Sequence, residues 1–350
     1  MAQNKAPSPF RPEPRVQHLD AFGDRLDVVG DVHGCVDEAT ALLDKVGHRV
    51  SFPDDPNLPA TFVPAPGRAL VFLGDLTDRG PRSRDSLRLL EGALLSGAGF
   101  SVMGNHDAKL LRALAGHPIA VAHGLRGTLD ELESVAPETR DRWRAMLHAL
   151  PHQISAPAQA AWGGRLTFVH GAAPSHHQDQ ENQNALSRAL YGYPNDDVDG
   201  EGRPGRVDWA KSYTAERVVV HGHTPLLQPR VLHKVICLDT GAVFGGHLTL
   251  WQADTGALHQ IAAPQRGYAR AGFEDRDRSE GDGVWRTGRL DPLQDGWVHT
   301  VVGPQGLATP PAPGPLLDGH DAPVSAAATP TGPVPTKGAA NATRPQGDER

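Results

Sequence analysis

The chain has 350 residues, 39% of them hydrophobic and 21% charged, which is enough for a large domain with a buried core. Its net charge of −7 argues against a dedicated binder of duplex nucleic acid, because such a protein needs a broad basic surface. Two cysteines exclude a disulfide scaffold. No apolar run is long enough for a membrane span or a signal peptide, so we expect a cytoplasmic protein.

Composition divides the chain into four segments. Residues 1–20 are polar and interrupted by proline, and we expect them to be disordered. Residues 21–262 carry the predicted strands and helices and are expected to form the folded domain. Residues 263–300 include two tryptophans and are expected to be a partly ordered extension. Residues 301–350 contain ten prolines and no aromatic residue, which predicts a disordered tail of unknown partner, because too little apolar surface can be buried to offset the ordering entropy.

Within the folded segment, short apolar runs alternate with amphipathic stretches, which predicts an α/β core. Six runs are predicted to be buried strands: Leu26–Val29, Ala69–Phe72, Phe100–Val102, Leu166–Val169, Val218–Val220 and Val235–Leu238. Three stretches with helical spacing are predicted to be helices: Asp37–Val46, Ser83–Leu95 and Ser134–His148. His247–Trp251 and Ala257–Ile261, joined by an Asp-Thr-Gly turn, are predicted to form a hairpin that closes the sheet.

A polar motif able to bind metal follows each of five predicted strands. The motifs are Gly30-Asp31-Val32-His33-Gly34, Gly74-Asp75-Leu76-Thr77-Asp78-Arg79-Gly80, Gly104-Asn105-His106-Asp107, His170-Gly171 and His221-Gly222-His223-Thr224-Pro225. Ligands of open α/β sheets bind beyond the carboxyl ends of the strands, so we expect these motifs to meet at one rim. Asp, His and Asn are ligands for divalent ions such as Mn²⁺, Fe or Zn²⁺.

Three of these motifs suggest how ions would be held. Asp31 and His33 alternate on a segment expected to be extended, so both can face one ion. The two oxygens of Asp75 can bridge a pair of ions. His221 and His223 also flank a glycine on a segment expected to be extended, and geometry alone leaves both within reach of the site.

Taken in this order, the motifs resemble those of the calcineurin-like metallophosphoesterases in the phosphoprotein-phosphatase superfamily. The similarity runs from about Leu26 to Trp251 and implies an α/β fold, a β-sandwich flanked by helices, here with disordered termini. A narrower set of motifs is similar to the PrpE-type bis(5′-nucleosyl)-tetraphosphatases and, nearly as closely, to the phosphatase domain of bacterial polynucleotide kinase-phosphatase. That set comprises Asp37-Glu38, the segment 74–81, Lys109–Arg112, His123–Leu125, Arg206–Ala210 and Asp239–Gly246. A kinase P-loop is absent from the sequence.

The resemblance implies a site with two divalent metal ions, Mn²⁺ in the first place, with Fe, Zn²⁺ or Ni²⁺ as alternatives. The first ion would be bound by Asp31, His33 and Asp75, and the second by Asp75, Asn105, His170 and His223, with His223 preferred to His221. A hydroxide bridging the ions would attack phosphorus directly, without a covalent phospho-enzyme. His106 would be the general acid, oriented by Asp78. The residues implied to bind phosphate are Arg79, Arg206 and Asn105.

The predicted activity is hydrolysis of a phosphoester or phosphoanhydride, with a bis(5′-nucleosyl) tetraphosphate as the preferred substrate. A broad-specificity protein serine/threonine or tyrosine phosphatase and a polynucleotide-end phosphatase remain alternatives, because fold and metal site do not choose the substrate. The expected partner is therefore a phosphorylated small molecule or nucleotide, or else a phosphoprotein, and neither duplex nucleic acid nor a membrane. A non-catalytic binding module is disfavoured because every ligand and acid position is filled.

Overall fold

The computed structural model describes residues 10–198, 204–264, 273, 284–298 and 301–302. Within these ranges the strands are β1 Val16–His18, β2 Leu26–Val29, β3 Arg49–Ser51, β4 Thr61–Val63, β5 Ala69–Phe72, β6 Gly99–Ser101, β7 Gln153–Pro157, β8 Arg165–Val169, β9 Pro194–Val198, β10 Pro204–Arg206, β11 Val218–His221, β12 Arg230–Leu232, β13 Val235–Cys237, β14 His247–Gln252, β15 Ala257–Ala262, β16 Trp285–Arg289, β17 Gly296–Trp297 and β18 Val301–Val302. The helices longer than one turn are α1 Val36–Lys45, α2 Ser83–Leu95, α3 Asn105–Leu114, α4 Leu125–Glu133, α5 Pro137–Ala149 and α6 Gln183–Tyr191.

Two mixed sheets are the centre of the fold. One has the order β1-β7-β8-β11-β13-β12-β17 and the other the order β18-β16-β15-β14-β2-β5-β6. Side chains of both sheets meet in a shared apolar layer that includes Val28 and Val220. Because successive residues of a strand point to opposite faces, their neighbours Val29 and Val219 pack on the outer faces against helices. The predicted α/β sandwich is therefore confirmed.

Most of the strands and helices predicted from the sequence are present with small shifts at their ends. The bounds of β2, β5 and α2 match the prediction, and α1 and α5 begin within a few residues of it. The hairpin of β14 and β15 is antiparallel, as predicted. It does not close the sheet, however, because β16 pairs with the outer side of β15.

The five motifs approach one another, as expected from the sequence, but they follow strands of two different sheets. Strands β2, β5 and β6 run parallel in one sheet, and β8 and β11 run parallel in the other. The motifs after these strands therefore approach the site from two sheets. Apolar runs identify buried strands, but they do not say which strands pair.

The N-terminal segment is more ordered than predicted. Val16–His18 pairs in parallel with β7, and the backbone N–H of Arg15 donates a hydrogen bond to His152 Nδ1 at 2.9 Å. A short polar segment can form such an edge strand because the hydrogen bonds come from a neighbour far away in sequence. Residues 1–9 lie outside the described residues.

The predicted boundary of the C-terminal tail also shifts. The first two residues of that segment form β18 and pair with Arg286 and Thr287 of β16, since β16 offers them an open edge. Residues 303–350 lie outside the described residues, as do 265–272, 274–283 and 299–300 of the predicted extension.

In the part of the chain that is described, the helices are all too short or too polar to cross a membrane.

A buried charged network ties the start of β2 to its surroundings. The Asp27 carboxylate accepts two hydrogen bonds from Arg68 at 2.8 Å, one from His48 Nε2 at 2.9 Å and one from Gln252 at 2.9 Å. Arg68 also pairs with Asp254. Burial alone would raise the pKa of Asp27, but the hydrogen bonds from His48, Arg68 and Gln252 hold it below its ordinary value.

We predict that Asp27→Ala lowers the free energy of unfolding by about 3–5 kcal/mol, because it removes the buried carboxylate that pairs with Arg68 and His48 and leaves Arg68 with one of its two carboxylate partners. Urea denaturation at constant metal concentration measures this change. Asp44→Ala is the matched control, since the pair of Asp44 with Arg49 is exposed and should be worth less than about 1 kcal/mol.

The same measurement has an expected pH dependence. The pKa of Asp27 is lower in the folded protein than in the unfolded chain. Its contribution to the free energy of unfolding is therefore fully present above the unfolded pKa of about 4, and it is lost as the pH falls through the pKa of the folded protein. Equal losses in the Asp27 and Asp44 variants would contradict a stabilising network.

Candidate metal centre

Five loops bring the predicted ligands to one place. Asp31 follows β2, Asp75 follows β5, Asn105 begins α3, His170 follows β8 and His223 follows β11. The carboxylates and imidazoles are at most 7% exposed. Two groups of three side chains have their ligand atoms within 4.8 Å of one another: His33, Asp75 and His106, and Asp75, His170 and His223.

In the first group, His33 is oriented by the backbone. Its Nδ1 donates a hydrogen bond to the carbonyl of Thr77 at 2.8 Å, which leaves the lone pair on Nε2. That nitrogen lies 3.6 Å from Asp75 Oδ2 and accepts a hydrogen bond from Arg79 Nη1 at 2.7 Å. Burial, together with the charge of Arg79, holds the pKa of His33 well below its ordinary value.

The second group has the same design. His170 Nδ1 donates to the carbonyl of Leu73 at 2.8 Å. Its Nε2 faces three atoms that are normally acceptors or ligands: Asn105 Oδ1 at 3.0 Å, Asp75 Oδ2 at 3.3 Å and His223 Nδ1 at 2.9 Å. Backbone carbonyls that fix the tautomer of a histidine in this way are typical of metal sites.

This arrangement fits divalent cations. Lone pairs of imidazole, carboxylate and amide groups converge with few protons between them, which is favourable only if a positive charge lies among them. Burial raises the pKa of Asp31 well above its ordinary value, and the nearby carboxylates of Asp239 and Asp75 act in the same direction. Burial alone would also raise the pKa of Asp75, but His170 and the other surrounding histidines hold it well below its ordinary value.

Two glycines allow the carboxylates to approach the backbone closely. A Cβ at Gly222 would lie 2.0 Å from Asp31 Oδ1, and one at Gly104 would lie 2.1 Å from Asp75 Oδ1. Asp31 instead accepts hydrogen bonds from the backbone N–H of His223 at 3.0 and 3.2 Å. Any side chain at position 222 or 104 would therefore displace a predicted metal ligand.

His106 is oriented by a chain of buried hydrogen bonds. Its Nδ1 lies 2.6 Å from Asp78 Oδ2, and Asp78 Oδ1 accepts a hydrogen bond from Thr128 Oγ1 at 2.6 Å. The sequence predicts the pairing of His106 with Asp78 but misses Thr128, because this residue belongs to α4, a helix that the sequence pattern did not reveal. No local signal marks Thr128 as functional.

Asp107 is a second residue that sequence reasoning missed. Its carboxylate accepts hydrogen bonds from the backbone N–H groups of Asp75, Leu76 and Gly104, at 2.8, 3.1 and 2.9 Å. Burial, with the Asp75 carboxylate close by, raises its pKa to about 7. Asp107 therefore fixes the Asp75 loop from behind. Its position directly after Asn105 and His106 is the sequence feature that could have marked Asp107 as part of the site.

The two predicted phosphate-binding arginines lie at the rim of the centre. Arg79 contacts His33, as described, and its guanidinium also lies over the ring of Phe244, 5.4 Å from the centroid. Arg206 Nη1 donates to the carbonyl of His223 at 2.6 Å. Each of the two cations therefore contacts a residue that the sequence predicts to be a metal ligand.

The backbone of the centre departs from the extended conformation that the sequence analysis assumed. His33, Asp75, Asp78, Arg79 and His223 all have φ between 45° and 74°, the left-handed region that L-residues other than glycine seldom adopt. Asp31 and His33 therefore do not alternate on an extended strand. Backbone strain of this kind concentrates at functional sites, at a cost of about 1–3 kcal/mol per residue.

The turn at His223 also separates the two neighbouring histidines. His223 lies against His170, with ring centroids 4.6 Å apart, whereas His221 packs on Trp209, 5.6 Å away. His221 Nδ1 pairs with the carbonyl of Gly222, and burial lowers its pKa to about 4. The assumption that both side chains face the same way is wrong: His223 lies with Asp75 and His170, and His221 lies against Trp209.

Comparison with known proteins gives a consistent result. A family model described as calcineurin-like phosphoesterase matches residues 25–249. The chain is 37% identical over 223 residues to the asymmetrical bis(5′-nucleosyl)-tetraphosphatase PrpE of Bacillus subtilis, covering 64% of this chain and 88% of that protein. The PrpE of Bacillus velezensis is 38% identical over 224 residues, covering 64% and 86%.

A solved structure, provisionally assigned as a diadenosine tetraphosphatase, shares the fold. The similarity has a TM-score of 0.50 at 24% identity and covers 71% of this chain and 98% of that one.

We predict that His223→Ala loses one metal ion per chain and most of kcat, because its imidazole lies among the other ligands. His221→Ala is the matched control, since this neighbouring buried histidine faces Trp209. It should retain both ions and change kcat by less than about tenfold, or ~1.4 kcal/mol of barrier. Elemental analysis of purified protein measures the metal content. Two ions retained in His223→Ala and one lost in His221→Ala would reverse the assignment.

Proposed function

The chain belongs to the calcineurin-like phosphoesterase family and is a metal-dependent hydrolase, and we propose that its substrate is a bis(5′-nucleosyl) tetraphosphate. The main support is the similarity to the PrpE tetraphosphatases, which extends over 88% of the length of the Bacillus subtilis protein. Such a match leaves little of the relative without a counterpart in this chain.

We propose that the ligands of the two ions are those the sequence indicates. The first ion would be bound by Asp31, His33 and Asp75, and the second by Asp75, Asn105, His170 and His223, with Mn²⁺ as the metal because these nitrogen and oxygen donors suit it. When bound, such ions supply Lewis-acid activation of water and neutralise phosphate charge. We propose that Arg79 and Arg206 pair with the remaining phosphate oxygens, which is supported by the contacts of Arg79 with His33 and of Arg206 with the carbonyl of His223.

The proposed reaction is asymmetrical. Water adds to one terminal phosphorus of the tetraphosphate, and the bond from that phosphorus to the bridging oxygen breaks. The products are a nucleoside monophosphate and a nucleoside triphosphate. The oxygen that leaves with the triphosphate gains negative charge, which must be stabilised or protonated.

His106 is the group we propose for that task. Its Nδ1 is held by Asp78 at 2.6 Å, so Nε2 is the nitrogen that can face the leaving oxygen. The Asp78 carboxylate stabilises the protonated imidazole and fixes its orientation, and Thr128 in turn holds Asp78.

The substrate proposal predicts a clear preference in a panel assayed with added Mn²⁺. We expect kcat/KM for diadenosine tetraphosphate to exceed that for a phosphopeptide or a 3′-phosphorylated oligonucleotide by at least about tenfold, with AMP and ATP as products by chromatography. Chelation should abolish activity, and Mn²⁺ should restore it better than Zn²⁺ or Ni²⁺. A preference for the phosphopeptide or the oligonucleotide would support a protein or polynucleotide-end phosphatase instead.

The role of His106 predicts a dependence on the leaving group. His106→Ala should lower kcat by about 10²–10⁴-fold for phenyl phosphate, because phenolate, with a conjugate-acid pKa of about 10, needs a proton. The loss should be much smaller for p-nitrophenyl phosphate, whose leaving group is stable as an anion. Metal content should not change. If His106→Ala instead loses metal, then His106 is a ligand of the first group and not the acid.

A further inference from the structure

A groove of about 400 Å³ lies between α3, α6 and residues 11–12. Leu186 and Leu190 of α6 form part of its apolar lining, and Arg112 of α3 and Tyr191 of α6 add a cation and an aromatic ring. Tyr191 is 47% exposed. A mixture of apolar walls, a guanidinium and an accessible ring is suited to a nucleotide.

Both walls of the groove begin at the metal centre. Helix α3 starts at Asn105, a predicted ligand. The backbone N–H of Ala172, two residues after His170, donates to the carbonyl of Arg188 at 3.0 Å, so the loop that carries this second ligand is attached to the end of α6. One end of each wall of the groove is therefore attached to a segment that carries a predicted ligand.

The spacing along α3 gives the length of this path. Arg112 is seven residues after Asn105, which places both on one face of the helix about 10 Å apart along its axis. Lys109 is half-buried on the same face between them. Burial raises the pKa of Tyr191, while the charge of Arg112 lowers it and that of Asp75 raises it. The charges that act on the Tyr191 hydroxyl are thus those of Arg112 in the groove and of Asp75 in the metal centre.

The fold does not use these two side chains for its own stability. Within the described part of the chain, neither Arg112 nor Tyr191 makes a side-chain hydrogen bond or an ion pair, and both are exposed. An arginine that stabilises this protein has the opposite character, as Arg68 shows with its two carboxylate partners. Arg112 and Tyr191 are consequently available to a ligand.

We propose, building on the proposed function, that this groove binds the far nucleoside of the substrate, the one that leaves as nucleoside triphosphate. Arg112 pairs with phosphates of the leaving arm, and the Tyr191 ring packs on the base. The nucleoside of the monophosphate product is attached directly to the reacting phosphorus and stays near the ions. The far nucleoside is three phosphates away and can reach a groove two helical turns from Asn105. A groove on one side of the centre would thereby select long dinucleotides over short phosphoesters.

The test compares two substrates with added Mn²⁺: diadenosine tetraphosphate and p-nitrophenyl phosphate, which has no far nucleoside. Arg112→Ala and Tyr191→Ala should each raise KM for the dinucleotide by at least about tenfold, since a base stacked on an aromatic ring or a charge-assisted phosphate contact is worth this much or more. Their kcat/KM for p-nitrophenyl phosphate should stay within about twofold of wild type. Tyr191→Phe should retain the wild-type KM because it keeps the ring. Arg49→Ala, an exposed arginine on β3, is the control for loss of a surface charge.

Each other outcome has a definite meaning. Equal losses on both substrates would show that the two residues act on the metal centre, and unchanged KM values would show that the far nucleoside binds elsewhere; either result overturns the inference and leaves the proposed function intact. A wild-type enzyme that cleaves p-nitrophenyl phosphate but not diadenosine tetraphosphate refutes the proposed function and this inference with it.

Discussion

The buried carboxylate of Asp75 joins the two sheets at the point where their strands end. One oxygen accepts a hydrogen bond from the backbone of His106 at 2.8 Å. The other lies 3.6 Å from His33 in one sheet and 3.3 Å from His170 in the other. A carboxylate buried this deeply is stable only with hydrogen bonds and compensating positive charge. Backbone carbonyls orient His33 and His170 toward Asp75, and the resulting cluster is suited to divalent ions.

The backbone of the centre is strained, and hydrogen bonds between its loops hold it in place. Five residues in the left-handed region cost several kcal/mol in sum, and such a cost is tolerated only where the surrounding structure enforces it. Here the backbone N–H of His33 is held by the carbonyl of Asp75 at 2.8 Å, and that of Asp75 is held by the Asp107 carboxylate. If the proposed ligands and acid are correct, these hydrogen bonds preorganise them for catalysis.

The proposed chemistry and the proposed substrate choice belong to different elements of the fold. The predicted ligands and His106 lie at strand ends and at the first turn of α3. The walls of the proposed nucleoside groove lie farther out, on the third turn of α3 and on α6. Changes in those outer turns can alter which phosphate compound binds without disturbing the ions, consistent with a fold that serves several phosphatase activities.

The sequence by itself determined which residues could do the chemistry. A short apolar run followed by glycine and an Asp, His or Asn residue is a local sequence pattern. This pattern was enough to predict the strands β2 and β5 and the candidate ligands that follow the strands. Tertiary structure alone decided how these strands divide between two sheets, that Val16–His18 forms a strand, and that Thr128 donates a hydrogen bond to Asp78. It also decided that His223 and not His221 turns to the centre. The physical reason is that hydrophobic periodicity encodes burial, whereas strand pairing and left-handed turns are selected by hydrogen bonds between residues far apart in the chain.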